Sequence, residues 1–521
     1  MEGKGIMFVV FSLVCVVLLN LLWSILKWVW LKPKRLERCL RKQGFHGNSY
    51  RLLYGDTKDK ERMLIEARSK PAMPYLSNDH LSRVLPFFQH TVNTYGKRCF
   101  MWNGPTPLVT ISEPELMREV FMKINEFQKP QSNHFFKQLA TGLVQVEGHV
   151  WAKRRKLLNP AFHIDKLKFM LPAFWTSSYH MIQEWEEQAS ETGSCEIEVW
   201  SHLHKLSADV ISRAAFGSSY EEGKKIFEFI NEQIMVAMPL INSVYIPGLR
   251  FVPTRAHKRM ADIDKQIRTL LKGIIDNRKK AMKMGEKSKD DLLGLLLNSS
   301  FQDIQNGSKK QNLTKLDLKE VIDECKIFYL AGQETTSTLL VWTLILLGKH
   351  QEWQARAREE VRKIFGNEKP DLHQLNHLKT VNKILQEVLR LYPPVSEISR
   401  TVKEDIKVGE IFLPKGVLIN LPILLVHQDE KYWGPDAKEF KPERFSEGIC
   451  KASGGNMSFF SFGWGPRICI GSNFAMMEAK LTLALILQRF SFNLSPLYAH
   501  APSALGTLRP QFGAPIIFYR L

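Results

Sequence analysis

The chain has 521 residues, with 72 lysines and arginines against 53 aspartates and glutamates, a formal net charge of +19. Its length can bury a large core and its 44% hydrophobic content is ordinary for a packed protein, which excludes a peptide, a disordered tail or a disulfide-stapled mini-protein. The basic excess admits nucleic acid, an anionic membrane surface or an acidic partner, and composition does not choose among them.

From the N-terminus, Ile6 to Leu26 runs without a charge, interrupted only by Ser12, Asn20 and Ser24, and Trp28, Val29, Trp30 and Leu31 extend it past Lys27. A helix of that length spans a bilayer, with Trp23, Trp28 and Trp30 suited to the interface. The run is long for a signal peptide, and no small-x-small cleavage site follows it. Next come Lys32, Lys34, Arg35, Arg38, Arg41 and Lys42, against only Glu2 and Lys4 on the other side. The positive-inside rule therefore places the N-terminus in the lumen and the body in the cytosol. Pro33 reads as a break between anchor and body, because proline disfavours helix in the residue before it. The expected division is a membrane anchor over 1–31, a basic hinge linker over 32–60 and one large domain over 61–521. The N-x-S/T sequons at Asn298, Asn306, Asn312 and Asn456 stay silent in that topology.

Within the body, strand-like runs cluster at Cys99–Ile111 and at Ile406–Val426, the second punctuated by Gly409, Pro414 and Gly416. Helical periodicity dominates elsewhere: after Glu113-Pro114, and through Leu206–Phe216, Leu318–Leu347, Trp353–Phe365, Val381–Leu391 and Phe474–Phe490. Lys279 to Lys315 reads as one short helix with exposed loops on either side. No repeat and no long low-complexity tract divides the body. The fold class expected is mainly α with small β-sheets, as one large domain.

Four patterns carry chemistry. The cysteines Cys15, Cys39, Cys99, Cys195, Cys325, Cys450 and Cys469 are scattered without a C-x-x-C pair, which argues against a disulfide framework or structural zinc and for a reducing compartment. Cys469 differs from the others: it lies in Phe462-Gly-Trp-Gly465-Pro-Arg467-Ile-Cys469-Ile-Gly471, just before an apolar helix. Glycines let that backbone approach a flat ligand, and the helix N-terminus favours a thiolate. Glu387 and Arg390 sit three apart on a helix ended by Tyr392-Pro393-Pro394, with Pro442-Glu443-Arg444-Phe445 beyond. Ala331-Gly332-Gln333-Glu334-Thr335-Thr336 combines a glycine with hydroxyl and β-branched residues, so a local distortion of that helix is expected. Trp151 and Arg155, four apart, share a helix face.

The cysteine segment resembles the haem-binding loop of the cytochrome P-450 monooxygenases, F-x-x-G-x-R-x-C-x-G, at every fixed position. The other three patterns resemble that family's E-x-x-R, oxygen-binding groove and W-x-x-x-R helix, in the right order. The resemblance implies a cytochrome P-450 fold and haem b, with Cys469 as the axial iron ligand and Phe462 in the cofactor loop. It implies Trp151, Arg155, Arg400 and Arg467 at the haem propionates, a role that guanidinium groups suit. It implies that Glu387, Arg390 and Arg444 form a buried structural network, that Thr335 hydrogen-bonds oxygen in the site, and that Glu334 relays protons. The groove's widened turn is expected around Gly332.

Lys153, Arg154 and Lys156 read either as a solvated face or as a docking site for an acidic reductase. With no nicotinamide or flavin signature in the chain, electrons derived from NADPH are expected through a separate membrane-bound NADPH-cytochrome P-450 reductase, with O2 as co-substrate and a monomeric enzyme in the endoplasmic reticulum membrane. Nucleic acid drops out. Stretches such as Asp323–Tyr329, Leu375–Leu378 and His500–Pro502 resemble the plant microsomal family that contains secologanin synthase and triterpenoid oxidases. A terpenoid-like lipophilic substrate follows, with plant hormones and fatty acids as alternatives.

The pocket is expected from 129–146, 230–251, 328–335, 395–400 and 503–508, including Leu330, Ala331, Val395, Glu397 and Leu505. Glu397 departs from an apolar lining, and reads either as an acceptor for a substrate hydroxyl or as a carboxylate turned to solvent or Arg400. A thiolate-haem isomerase or dehydratase and a non-enzymatic haem protein are the other classes. Retention of Glu334-Thr335 argues against both.

Overall fold

The computed structural model describes residues 2–73, 76–130, 134–241, 243–244, 254–284, 291–301, 316–366 and 368–521. Parts of the expected pocket segments (131–133, 242 and 245–251) and most of the Lys279–Lys315 stretch lie outside these residues. The fold is mostly helical with small sheets.

The N-terminal helix begins at Glu2 and has no buried residue from Ile6 to Leu26. By length and composition it fits a membrane anchor. It does not stop at Pro33. A π-helical turn, Lys27–Leu31, carries it into Lys32–Lys42, where Leu36 and Leu40 are buried. Proline has no N–H to give the Val29 carbonyl four residues earlier, and the Tyr50 hydroxyl donates to that carbonyl at 2.7 Å instead. An outside donor thus offsets the defect, and the expected break is absent.

A five-stranded sheet runs in the order Phe100–Asn103, Thr106–Thr110, Leu418–Leu421, Ile398–Val402 and Phe127–Gln128. Leu108 pairs with Leu418 in parallel and Arg400 with Ile419 antiparallel, which fixes where Arg400 stands. Pro502–Leu505 and Thr507–Pro510 form a hairpin about Gly506, whose φ of 80° suits glycine.

The central helix, Leu318–Lys349, starts at an Asp317/Glu320 capping box and is buried nearly all round, as a core helix is. It packs on helix Val199–Phe216, on Lys379–Leu391 and on Ser472–Arg489, the helix that follows the cysteine loop. Helix Gly148–Leu158 presents Trp151 and Arg155 toward that loop.

Candidate active site

The cysteine loop is held by its own backbone. Cys469 N–H donates to the Phe462 carbonyl at 2.9 Å, and Gly463 and Gly465 take φ of 74° and 71°, left-handed values that cost glycine little. A Cβ on Gly465 would meet Met122 Sδ and the Phe121 carbonyl oxygen at 3.0 Å, so this turn packs too closely for a side chain. The Cys469 side chain keeps an accessible face although protein surrounds it at longer range. Burial pushes its thiol up, opposed by the Gly471 N–H and the Arg155 charge. The helix N-terminus acts in the expected direction through the Gly471 N–H but is outweighed by burial in the free thiol; metal coordination deprotonates such a group outright.

The E-x-x-R pair, with Arg444, supports this loop from below. Arg390 and Glu387 are fully buried and bonded at 2.7 Å, Arg444 Nε lies 3.6 Å from Glu387, and Lys441 N–H donates to Glu387 at 2.9 Å. Arg390 also donates to the carbonyls of His427, Ala437 and Glu439. Asp436 anchors Arg444 at 2.8 Å and is held down to about 2: burial alone would raise it, but hydrogen bonds from Lys441 and Arg444 win.

His427 connects the two motifs. Phe460 N–H donates to its Nε2 at 2.9 Å, and its Nδ1 lies 3.1 Å from the Arg390 carbonyl, which fixes the neutral Nδ1–H tautomer. Burial, then the Arg390 charge, lowers its pKa to about 3. His427 has no spacing signature, because it works through contacts more than thirty positions away.

A second cluster is cationic. Arg467 stacks over the Trp151 ring at 4.5 Å and donates to Glu147 and to the Val146 carbonyl. Arg155 donates to the Ile468 carbonyl at 2.8 Å. Arg400 is buried, and the only hydrogen bond of its side chain among the described residues is to the Ser399 carbonyl at 2.9 Å. Burial, then Arg467, lowers it to about 10. Lys129, which has no motif to mark it, is pushed down to about 7 by burial and by Arg467 and Arg400. Glu147 is the carboxylate whose charge acts on Lys129, Arg400 and Arg467. Such an excess of buried positive charge calls for an anionic ligand. A thiol on a glycine turn beside it suits a flat dianionic macrocycle bearing iron, so the residues present fit haem.

Arg154 is not a docking cation. It is buried between Glu324 at 2.9 Å and Glu320 at 2.6 Å, which ties helix Gly148–Leu158 to the central helix. Lys156 is exposed.

On the central helix, Glu334 and Thr335 point apart, as neighbours about 100° apart must. Thr335, half-buried on the face shared with exposed Ala331, donates to the Ala331 carbonyl at 2.8 Å. Glu334 is buried, with its two oxygens held by His204 Nε2 at 2.8 Å and by the Thr507 hydroxyl at 3.1 Å. Burial alone would raise this carboxyl, but the His204 bond and charge, Arg509 and Thr507 hold it below its ordinary value.

The distortion expected here is absent as a change of helix type: every residue from Leu318 to Lys349 is α-helical. Thr335, Ser337 and Thr338 return their hydroxyls to carbonyls four residues back, so they satisfy themselves within the helix. Gly332 has a packing reason, since a Cβ there would lie 2.8 Å from Ile211 Cγ1 on helix Val199–Phe216.

Three bonds join segments from which the pocket is expected. Thr507 bonds Glu334 and Thr338, and Leu508 N–H donates to the Pro394 carbonyl at 3.0 Å, joining the hairpin to the loop of Val395 and Glu397. Val395 is 40% exposed, and Leu330 and Leu505 are half-buried. Glu397 is half-buried without a hydrogen bond or ion pair to Arg400.

The cytochrome P450 family profile matches residues 77–511. The chain belongs to the cytochrome P450 family. This cytochrome P450 is 54% identical to "Cytochrome P450 CYP72A219" of Panax ginseng, over 98% of each chain. It is 50% identical to echinocystic acid 23-monooxygenase of Saponaria officinalis over 98% of each, and 48% identical to 7-deoxyloganic acid hydroxylase of Catharanthus roseus over 99% of each. Among solved structures, retinoic acid-bound cyanobacterial CYP120A1 matches with a TM-score of 0.72 at 25% identity, over 87% of this chain and 99% of that one. The chain is an oxidoreductase of the monooxygenase class, and family membership implies a haem cofactor.

Proposed function

We propose that this cytochrome P450 inserts one oxygen atom of O2 into a C–H bond of a lipophilic terpenoid-type plant metabolite. In this reading haem b is the cofactor, electrons come from NADPH through a separate reductase, and the anchor sits in the endoplasmic reticulum membrane. The observation that carries it is Cys469 on its self-bonded glycine loop, beside Arg155, Arg400, Arg467 and Lys129 with Glu147 as their counter-charge. The relatives named echinocystic acid 23-monooxygenase and 7-deoxyloganic acid hydroxylase, plant terpenoid-modifying enzymes, support the substrate class.

The chain's own groups divide the work. The haem, when bound through a thiolate, supplies the oxidant that attacks an unactivated C–H bond. Cys469 would be its ligand, and the cations would hold its carboxylates. The buried Glu387–Arg390–Arg444 network and His427 fix the loop so that the sulfur does not shift. Thr335 offers a hydroxyl on the accessible face of the central helix, and Glu334 holds a carboxylate one residue away. Val395, Ala331 and Leu505 provide apolar surface for the substrate skeleton.

Spectroscopy of the reduced protein with carbon monoxide tests the ligand. Wild type is expected to give the thiolate-type spectrum and Cys469→His to lose it; an imidazole-type spectrum in wild type overturns the assignment. Microsomes containing the protein and a plant reductase, incubated with plant metabolite extracts, are expected to show products heavier by one oxygen. Products without added oxygen overturn the reaction class.

A further inference from the structure

Glu334 is buried, and the chemistry proposed above asks it to move protons, so something must connect it to water. His204 is the one imidazole bonded to it. It stands on helix Val199–Phe216, with Nε2 2.8 Å from Glu334 Oε1 and its side chain 15% exposed against 7% for Glu334. The Trp200 ring stacks on it at 5.3 Å. Its other nitrogen, Nδ1, lies 3.1 Å from Gln333 Nε2, while Gln333 Oε1 is buried and has no partner. The imidazole therefore bridges solvent and carboxylate, with an amide beside it whose acceptor end is unused.

We propose that His204 carries protons from solvent to Glu334 and positions its carboxylate, acting with Gln333 as a two-position hydrogen-bond partner. This rests on the oxygen-inserting function proposed above. As placed, Gln333 N–H donates to Nδ1, so Nδ1 bears the lone pair and Nε2–H donates to Glu334. Half a turn of the Gln333 amide withdraws its N–H and frees the Nδ1 lone pair, a proton taken from solvent at Nδ1 makes the imidazolium, and Oε1 accepts from the new Nδ1–H. Transfer of the Nε2 proton to Glu334 leaves a neutral ring and a neutral carboxylic acid, so one proton has moved inward and no electron has moved.

The groups facing the pair are few. The central helix contributes Glu334 and Gln333, and helix Val199–Phe216 contributes Trp200. The hairpin contributes Thr507, bonded to Glu334, and Arg509, whose charge acts on Glu334 and which lies 5.8 Å from the Trp200 ring. Thr507 also meets Thr338 at 3.2 Å, so the carboxylate is clamped on its far side and is released only as the imidazole side changes.

His204→Gln keeps an N–H donor for Glu334 but cannot hold a proton charge, and His204→Ala removes both. The experiment uses the full-length haem-loaded enzyme and its reductase, with dioxygen and NADPH as the only reactants, in H2O and D2O. Infrared titration of the Glu334 carboxylate band, identified by its loss in Glu334→Gln, accompanies it in haem-free and haem-loaded protein. With the carbon monoxide spectrum unchanged, His204→Gln is expected to slow NADPH-driven oxygen consumption about tenfold, with a larger solvent isotope effect. The Glu334 band is expected to protonate about one pH unit higher, because a glutamine amide cannot take up the proton that sets a positive charge against Glu334. Wild-type values for His204→Gln in both readouts, while Glu334→Gln is slow, overturn this proposal alone. Wild type that consumes no oxygen with its reductase overturns the proposed function and this relay with it.

Discussion

Glu478 shows how strongly single groups are set by burial in this molecule. It lies on Ser472–Arg489 with no exposed surface; Ser207 donates to Oε1 at 2.7 Å and Oε2 has no partner. Burial pushes its pKa from 4.5 up to about 8, opposed only by the Ser207 bond. The neutral acid is thus the folded form at neutral pH. A carboxyl raised in the folded state contributes stability that is fully present below its unfolded pKa and lost as pH rises through the folded one. Thermal unfolding is expected to show stability falling between about pH 4.5 and about pH 8 from this group, and Glu478→Gln to flatten that slope. A slope unchanged in the variant would show that another group titrates there.

The residues legible in the sequence were those that act within a few positions of one another, such as Cys469 with its glycines and Glu387 with Arg390. His204, His427 and Glu147 escaped because each is a lone polar residue with a partner far along the chain, and Lys129 and Thr507 were reached only as members of expected pocket segments, without a role. His204 and Glu334, for example, are 130 positions apart.

At the scale of elements, the junction Lys27–Leu31 shows what a rule about proline can and cannot say. Pro33 removes a donor, which is local, but whether the helix breaks depends on who replaces it. Tyr50 does, with Leu53 N–H donating back to the same hydroxyl at 3.0 Å and Trp102 packing against the Tyr50 ring at 4.7 Å. Tyr50→Phe leaves the ring in place and removes the donor, at a cost of about 1 kcal/mol. Local opening of the junction is then expected to rise about fivefold, read as faster tryptic cleavage after Lys34 and Arg35. Equal cleavage rates would mean that the tyrosine bond does not hold the junction.

Helices Leu318–Lys349, Gln351–Phe365, Lys379–Leu391 and Ser472–Arg489 were read within a few residues, because buried or amphipathic runs carry their own period, whereas Ile164–Gln188, Tyr220–Ile241 and Arg255–Lys283 were not singled out. What periodicity could not reveal was which face meets which neighbour. Gly332, expected in a ligand groove, also stands where a Cβ would meet Ile211 Cγ1 at 2.8 Å, a packing reason that spacing alone does not show.

For the whole molecule, the boundary between anchor and body can be located by burial. None of Ile6 to Leu26 is buried, whereas Leu36 and Leu40 lie in the core and Glu37 is paired with Lys34 and Arg41. Deleting residues 2–26 is expected to leave the thermal midpoint of the detergent-solubilised protein unchanged. Deleting 2–42 also removes two buried leucines, each worth about 2–5 kcal/mol, and is expected to lower the midpoint sharply. Equal midpoints would move the boundary past Lys42. The general plan was legible from the sequence, since a charge-free run followed by cations, and motifs in fixed order, need no tertiary contact to be seen. The continuity of anchor and body was not, because it rests on a hydroxyl 21 positions downstream.

That continuity has a mechanical meaning. A helix unbroken from Glu2 to Lys42 is a mast of about 60 Å, twice the roughly 30 Å of a bilayer's hydrocarbon. Its upper end is bolted into the body by Leu36, Leu40 and Tyr50, so the body has no swivel at this joint. With the apolar run set in a bilayer, whatever leaned the mast would lean the whole enzyme, and a thicker or thinner bilayer, by changing helix tilt, would reset the height and heading of the body.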